Sequence, residues 1–335
     1  MHNTEYIFRF DVGRKIGLGH WYRCLALVEI LRHRGIKDIR LLVNKLDPRL
    51  KKELLKRHLA FQESDEWGAF ETILKEMKAA PLCVLILDTM ETDESYVKNL
   101  VRHVPVITIG GSGEGRNYAS VRIDGMIPRP GYSDDFVGEQ LFIGPEYLIL
   151  RDSFSETSRV IVADSVHRVL VALGGDASGH GFRVAAALHQ VNPQLSISVM
   201  VGALAAVPKD LHPKITVMQG LQNLAAVMRN CDIAITGGGM TTYEFLHLGI
   251  PVVLITFAAS QIVPASSFGE HGLAKYLGLV DDEEPLTTRL DRMLRELADP
   301  VLRRRLTEQG RKLIDGQGGK RVAQIILNMG ERDRN

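Results

Sequence analysis

Residues 231–261 read CDIAITGGGMTTYEFLHLGIPVVLITFAASQ. A short apolar run is broken by Gly237, Gly238 and Gly239. A segment of helical spacing follows from Thr241 to His247, Gly249-Ile250-Pro251 stops it, and a second apolar run leads to Gln261. This order predicts strand, loop, helix, strand. The glycines fall where the first strand gives way to the helix, so backbone N–H groups are bare there and the helix dipole turns its positive end outward. A phosphate is the natural occupant, although such a turn also serves as a plain βα connection with no ligand. Glu244 lies near the start of the predicted helix, where it can accept from a ribose hydroxyl, and Gln261 follows the next strand end.

The sequence upstream repeats the pattern. HRVLVALGG, residues 167–175, reads as a strand that ends in Gly174, Gly175 and Asp176, with a helix starting after Gly179. LSISVMVG and KITVMQG are two more strands, and LQNLAAVMRN is a helix. Gly174 and Gly175, Gly220, and Gly237 to Gly239 all fall at carboxyl ends of predicted strands. That edge is where open α/β sheets receive their ligands. Residues 287–329 are amphipathic helix, interrupted at Pro300 and around Gly316 to Gly319; they cover this domain, and the last helix can cross back to the first.

The first half is of the same class. Tyr6 to Phe10 is strand-like and ends at Asp11; residues 12–19 form a loop with Gly13, Gly17 and Gly19, and a helix runs from His20 to Gly35 with its apolar residues at helical spacing. His20 therefore stands at a helix N-terminus on the carboxyl edge of the first strand. The dipole disfavours its cationic form, which leaves an imidazole able to accept a proton near neutral pH. A His that only caps the helix fits the same position. IRLLVN is a strand, residues 47–58 and 65–80 are helices, and PLCVLILD is apolar enough for a central parallel strand. Asp88 ends that strand, either facing the ligand edge or capping the next helix. A helix around Tyr96 to Val101, the strand VPVITI, the flexible loop of Gly110, Gly111, Gly113 and Gly115, a turn in IPRPGYSDD, and short strands at 121–123 and 141–143 complete this half. Strands alternating with helices make each half a doubly wound α/β domain. The polar, aperiodic stretch 150–166 marks the boundary, giving domains 1–155 and 156–335.

A chain of 335 residues suits two cores. With 45% apolar and 24% charged residues it has ordinary globular composition, and a net charge of +1 gives no reason to expect nucleic acid or an anionic membrane as partner. No apolar run approaches the roughly 18 residues of a membrane span, and the N-terminus lacks a signal-peptide core, so a cytoplasmic protein is expected. Cys24, Cys83 and Cys231 are odd in number and scattered, which suits buried thiols better than a disulfide or a zinc site.

The two halves together look like the GT-B architecture of nucleotide-sugar enzymes, two Rossmann-like domains facing each other across a cleft. The second half is similar to the lipid-linked N-acetylglucosaminyltransferase of peptidoglycan synthesis through Gly174-Gly175, Gly220-Leu221-Gln222-Asn223-Leu224, Gly237 to Thr242 with Glu244, Gly249-Ile250-Pro251, and Gln261. The whole chain more closely resembles the UDP-sugar hydrolases of the pseudaminic acid pathway, which release UDP from UDP-2,4-diacetamido-2,4,6-trideoxy-β-L-altropyranose, and their spore-coat polysaccharide relatives. Two stretches carry that match: Arg9, Asp11, Ile16-Gly17-Leu18-Gly19-His20 with Arg23, and Gly144-Pro145-Glu146-Tyr147-Leu148-Ile149-Leu150-Arg151 with Phe154.

The resemblance implies an inverting hydrolase with His20 as catalytic base, alone or through Asp88 or Asp11. Gly17 and Gly19 shape the loop that admits substrate, and Arg23, Tyr147 and Arg151 belong to the substrate side. Gly174 and Gly175 border the phosphates, the Leu221 backbone meets the uracil, Glu244 the ribose, the amides of Gly239, Met240 and Thr241 the diphosphate, and Thr242 and Gln261 complete the site. No metal and no cofactor are implied; the partner is the UDP-sugar, and the protein is expected as a monomer or weak homodimer without membrane insertion. The free sugar would feed nonulosonic acid or surface polysaccharide synthesis. Three departures fall mainly on the sugar side: Ile109-Gly110-Gly111 replaces a strand ending in two aspartates, Thr89-Met90 replaces an aromatic pair, and Ser260 replaces an asparagine. A glycosyltransferase with the same nucleotide site, and a nucleotide-sugar binding paralogue without chemistry, are the competing readings.

Overall fold

A computed structural model describes residues 4–13, 16–63, 72–73, 75, 82–128, 135–154, 160–174, 176, 178–202, 205–220 and 223–332. The predicted helix at 65–80 falls mostly outside them, as does much of the IPRPGYSDD turn. The chain divides into two compact units, Met1–Asp152 with Gly316–Asn335, and Ser153–Asp315.

The first unit is built on a seven-stranded parallel sheet of order β3-β2-β1-β4-β5-β6-β7. Its strands are β1 (Glu5–Phe10), β2 (Ile39–Val43), β3 (Ala60–Glu63), β4 (Cys83–Asp88), β5 (Val106–Ile109), β6 (Val121–Asp124) and β7 (Gln140–Ile143). β4 is buried at every position, as its continuous apolar run predicts for a strand covered on both faces. β3 is absent from the sequence reading because AFQE lies at the sheet edge, alternating exposed and half-buried residues with little apolar signal. One face is covered by α1 (Gly19–His33), whose Trp21 is buried edge-on against Phe10 with ring centroids 6.3 Å apart. Burying such a side chain contributes roughly 1.5–3 kcal/mol. The other face carries α3 (Glu94–Leu100), started by Asp93, which accepts from the Tyr96 amide; between them in sequence lies α2 (Pro48–Lys56), capped in the same way by Asp47.

The second unit holds a six-stranded parallel sheet of order β10-β9-β8-β11-β12-β13: β8 (Arg168–Ala172), β9 (Ser196–Val201), β10 (Ile215–Gln219), β11 (Ile233–Thr236), β12 (Val252–Thr256) and β13 (Lys275–Leu279). Its helices are α4 (His180–Val191), α5 (Leu224–Met228), α6 (Met240–Leu248), α7 (Ile262–Glu270), α8 (Leu286–Glu296) and α9 (Pro300–Leu313). The stretch 231–261 folds as strand, glycine turn, helix, strand, and α6 ends at Gly249 in the left-handed conformation (φ 77°) that a glycine C-cap permits.

The last helix, α10 (Gly318–Arg332), counts with the first unit, not with the second as the boundary 156–335 has it. Its Val322, Ala323, Ile326 and Met329 join the core of β1 and α1. Glycines let it approach closely: a Cβ on Gly318 would stand 2.1 Å from the Leu148 carbonyl oxygen, and one on Gly330 2.4 Å from the Tyr6 hydroxyl. Cys24, Cys83 and Cys231 are buried free thiols, as expected. Among the described residues no helix is long and apolar enough to cross a membrane.

Candidate functional site

In the first unit the polar residues converge on Asp88. Its strand ends beside β1, and the loop after β1 begins α1, so His20, Arg23 and Cys24, spaced i, i+3 and i+4 on one helix face, all reach it. His20 Nδ1 lies 2.6 Å from Asp88 Oδ1, Arg23 Nε donates to Oδ2 at 2.7 Å, Arg23 Nη2 donates to Oδ1, and the Cys24 thiol donates to Oδ2 at 3.4 Å. Asp88 is wholly buried. Burial alone would raise its carboxyl, but the charge of Arg23 and the hydrogen bonds from Arg23 and His20 outweigh that and hold it down at about 2. Burial likewise works against the Arg23 cation, and the Asp88 charge more than offsets it. Burial and the nearby carboxylate push the Cys24 thiol well up, which makes it an inert donor.

An ionised Asp88 can only accept, so His20 donates to it from Nδ1. Arg23 Nη2, 3.1 Å from that nitrogen, is a second donor converging on the same oxygen. The imidazole thereby presents a basic Nε2, held in one orientation by a buried carboxylate. Asp11 does not share this role: it is ion-paired with Arg9 at 2.8 Å, and the carboxylate on His20 is Asp88. Gly17 (φ 84°) donates to the Gly13 carbonyl at 2.7 Å and closes a tight loop before the helix. A Cβ on Gly19 would meet no atom within 4 Å, so protein packing does not demand a glycine there. Tyr147 packs edge-on to Phe142 at 5.3 Å, and the Arg151 guanidinium lies 4.2 Å from the Tyr22 ring centroid. The Gly144–Arg151 stretch also packs against α10, so this motif has a structural task in addition to whatever it does for substrate.

Two further residues, without a motif of their own in the sequence, shape this region. Asn44 accepts from the Val12 amide (2.8 Å) and donates to its carbonyl (2.7 Å), pinning the loop that leads to His20. Asp124, almost fully buried at the end of β6, adds a second negative charge that acts on Arg23. Its only signal is the one Asp88 gives, a carboxylate closing an apolar strand. The Gly110-Gly111 departure has a physical basis. Gly111 has φ 77°, and a Cβ there would stand 2.5 Å from the Thr89 carbonyl oxygen, because Ser112 is stitched to Met90 by backbone and side-chain bonds. A carboxylate at 111 has no room.

In the second unit, Gly239 caps α6 without a side-chain cap, its φ is −86°, and a Cβ on it would meet nothing within 4 Å. Neither conformation nor packing calls for glycine, and the surface next to the bare first turn stays open. Gly239 is exposed, and Met240 and Thr241 are half-buried at the same end. Gly174 lies beside them: a Cβ there would be 3.8 Å from Thr241 Oγ1. Thr242 faces inward, wholly buried and bonded to Thr236 Oγ1 at 2.7 Å, so it locks the turn. Glu244 is also wholly buried; as placed, its carboxylate is not presented to a ribose. Gln261 accepts from the Phe257 amide at 3.0 Å. Gly175 and Leu221 lie outside the described residues. Near this turn are Asp176, His180 and Phe257, none of which the sequence reading selects as a ligand residue. Among the described residues no group of three His, Cys, Asp or Glu side chains is arranged to hold a metal ion.

Comparison with known proteins bears on this arrangement. Residues 185–323 match the family described as Glycosyltransferase family 28 C-terminal domain. The chain is 27% identical over 342 residues to the spore coat polysaccharide biosynthesis protein SpsG of Bacillus subtilis, covering 96% of this chain and 98% of that one. Among solved structures, the calicheamicin glycosyltransferase CalG4 superposes with a TM-score of 0.65 at 15% identity, covering 99% of each chain. MurG of Acinetobacter baumannii gives 0.64 at 14% identity, covering 97% of this chain and 99% of that one. The chain has the fold of the GT-B glycosyltransferases, two Rossmann-like parallel-sheet domains of which the second resembles the family 28 C-terminal domain.

Proposed function

We propose that this protein breaks the bond between a sugar and the diphosphate of a UDP-sugar and transfers the glycosyl group to an acceptor hydroxyl, with His20 as general base. The observation that carries this reading is the Asp88–His20 pair, which leaves Nε2 basic and oriented. The second unit holds the nucleotide: the amides of Gly239, Met240 and Thr241 and the α6 dipole meet the diphosphate, where the open space at Gly239 admits it. In the step itself Nε2 takes the hydroxyl proton, the oxygen bonds the anomeric carbon from the face opposite the leaving group, and UDP departs with the electron pair of the broken C–O bond. A positioned base contributes about 10²- to 10⁴-fold. Backbone amides and the helix dipole offset the charge on the departing diphosphate.

Transfer is favoured because the structures this chain superposes on are glycosyltransferases. An open surface depression bordered by Lys45, Leu46, Lys51, Lys52, Leu55 and Glu63 lies past the ends of β2 and β3. Hydrolysis, with water as the nucleophile, is the second reading; it draws on the Arg9 to Arg23 motif, which resembles UDP-sugar hydrolases. The SpsG relative supports a product destined for surface polysaccharide in either case. UDP release measured on a panel of UDP-sugars, with and without saccharide and lipid-linked acceptors, tests this reading. Release that requires an acceptor supports transfer, prompt stoichiometric release without one moves the assignment to hydrolysis, and no release from any sugar overturns both.

A further inference from the structure

A second imidazole stands on the carboxyl edge of the other sheet. His180 is the first residue of α4; its Nδ1 lies 2.9 Å from Asp176 Oδ1, while Asp176 Oδ2 accepts from the Gly181 amide at 2.7 Å. The carboxylate thus holds both the start of the helix and the ring of His180. That ring lies flat on Phe257, with centroids 5.1 Å apart and planes 13° from parallel. Phe257 is itself fixed by Gln261, whose Oε1 accepts from its backbone N–H at 3.0 Å. Among the described residues Nε2 of His180 has no hydrogen-bond partner in the protein.

Sheet order shows what this stack covers. His180 belongs to the turn after β8, Phe257 follows β12 directly, and β11 runs between those two strands. A ring contact from one to the other must pass over the carboxyl end of β11, where Gly237, Gly238 and Gly239 form the turn into α6. The distances agree: a Cβ on Gly237 would stand 3.5 Å from Phe257 Cε1 and 2.9 Å from the Leu173 carbonyl oxygen. The side chains at the ends of β8 and β12 therefore border the glycine turn over Gly237 while Gly239 stays open, and the imidazole is the group among them that can donate to an anion.

We infer that His180, oriented by Asp176 and seated on Phe257, is a ligand-binding imidazole that donates from Nε2 to the diphosphate of the bound nucleotide. This rests on the reading of the second unit as the nucleotide-holding half. Asp176 is a positioning residue, because its bond to Nδ1 directs the opposite nitrogen toward the ligand. Such a ring also gives the departing diphosphate a hydrogen bond that strengthens as negative charge gathers on it.

Calorimetric titration of UDP and of uridine into the full-length protein and its His180→Phe and His180→Gln variants tests this. Phe keeps the volume and the stack on Phe257 but removes both ring nitrogens; Gln restores a side-chain N–H without the ring. The expected result is a UDP affinity about tenfold weaker in H180F, the size of one charge-assisted hydrogen bond, with uridine affinity unchanged and most of the UDP loss recovered in H180Q. H180F binding UDP as tightly as the unmodified protein overturns the inference, as does an equal loss for UDP and uridine, which marks a structural role. H180Q as weak as H180F also overturns it, since the N–H is then not what matters. Unmodified protein with no affinity for UDP is a different failure: it removes the nucleotide reading of the second unit, and this inference with it.

Discussion

His20 Nδ1 and Asp88 Oδ1 stand 2.6 Å apart, sixty-eight residues distant in sequence, with Arg23 donating to both oxygens of the same carboxylate. The pair joins a helix start to a strand end on neighbouring strands, so the backbone holds the two groups in place before any ligand arrives. Arg23 keeps Asp88 ionised, and Asp88 in turn fixes the tautomer of His20.

Replacing His20 by Asn removes the base and keeps much of the shape. Turnover of a UDP-sugar is expected to fall by about 10²- to 10⁴-fold while calorimetric affinity for UDP stays within about twofold. A variant that turns over normally removes His20 from the chemistry.

Asp88→Asn is expected to damage both function and stability. The carboxylate, held at about 2 in the folded protein against about 3.9 in the unfolded chain, contributes on the order of 2–3 kcal/mol. The folded value is the lower one, so this stabilisation is complete above about pH 5 and is lost progressively as the pH falls toward about 2. Denaturant unfolding of the unmodified protein between pH 5 and pH 2 is expected to show this proton uptake, and D88N to lack it. Because D88N leaves Arg23 buried without its partner, the total loss of stability is expected at about 3–5 kcal/mol. Unfolding curves for the two proteins that run parallel across that range would count against the assignment.

The glycine pair at 110 and 111 separates packing from specificity. Gly111→Ala adds a Cβ 2.5 Å from a carbonyl oxygen at a left-handed backbone position, so a loss of roughly 1–3 kcal/mol is expected in thermal unfolding. Gly110→Asp meets nothing closer than 3.6 Å, and the nearest atom is Arg23 Nη2. Its backbone is also left-handed (φ 59°), so it is expected to cost roughly 1 kcal/mol of strain without the added clash, and to draw Arg23 away from Asp88, lowering turnover without changing UDP affinity. Equal stability losses in the two variants would contradict this geometry.

The last helix belongs to the first core, and a single methyl group tests that. Gly318→Ala is expected to destabilise the protein by about 2 kcal/mol or more, because the Cβ would overlap the Leu148 carbonyl at 2.1 Å and α10 would have to lift off. Gly316→Ala, at a left-handed position before the helix, is expected to cost only the backbone strain of roughly 1 kcal/mol. Matching melting temperatures for G318A and the unmodified protein would show that the helix does not pack as described.

Much of the fold follows from local rules that the chain itself carries. Apolar runs such as CVLILD read as buried parallel strands, glycine triplets after such runs as turns, and helices with spaced apolar faces as cover for the sheets. The position of His20 at a helix start and of Gly239 at a strand-to-helix turn is legible for the same reason, since both depend on neighbours within a few residues. What the local pattern leaves open is every pairing across long separations. It names Asp11 and Asp88 alike for His20, and the order β1 beside β4 selects Asp88. It places Glu244 near the start of a helix, and only the packing of α6 shows that its side chain is buried. It gives no hint that His180 meets Phe257, because that contact exists only once β8 and β12 flank β11. Hydrogen-bond spacing and hydrophobic periodicity act over one or two turns of chain, whereas the partners of a buried charge are chosen by which strands lie side by side.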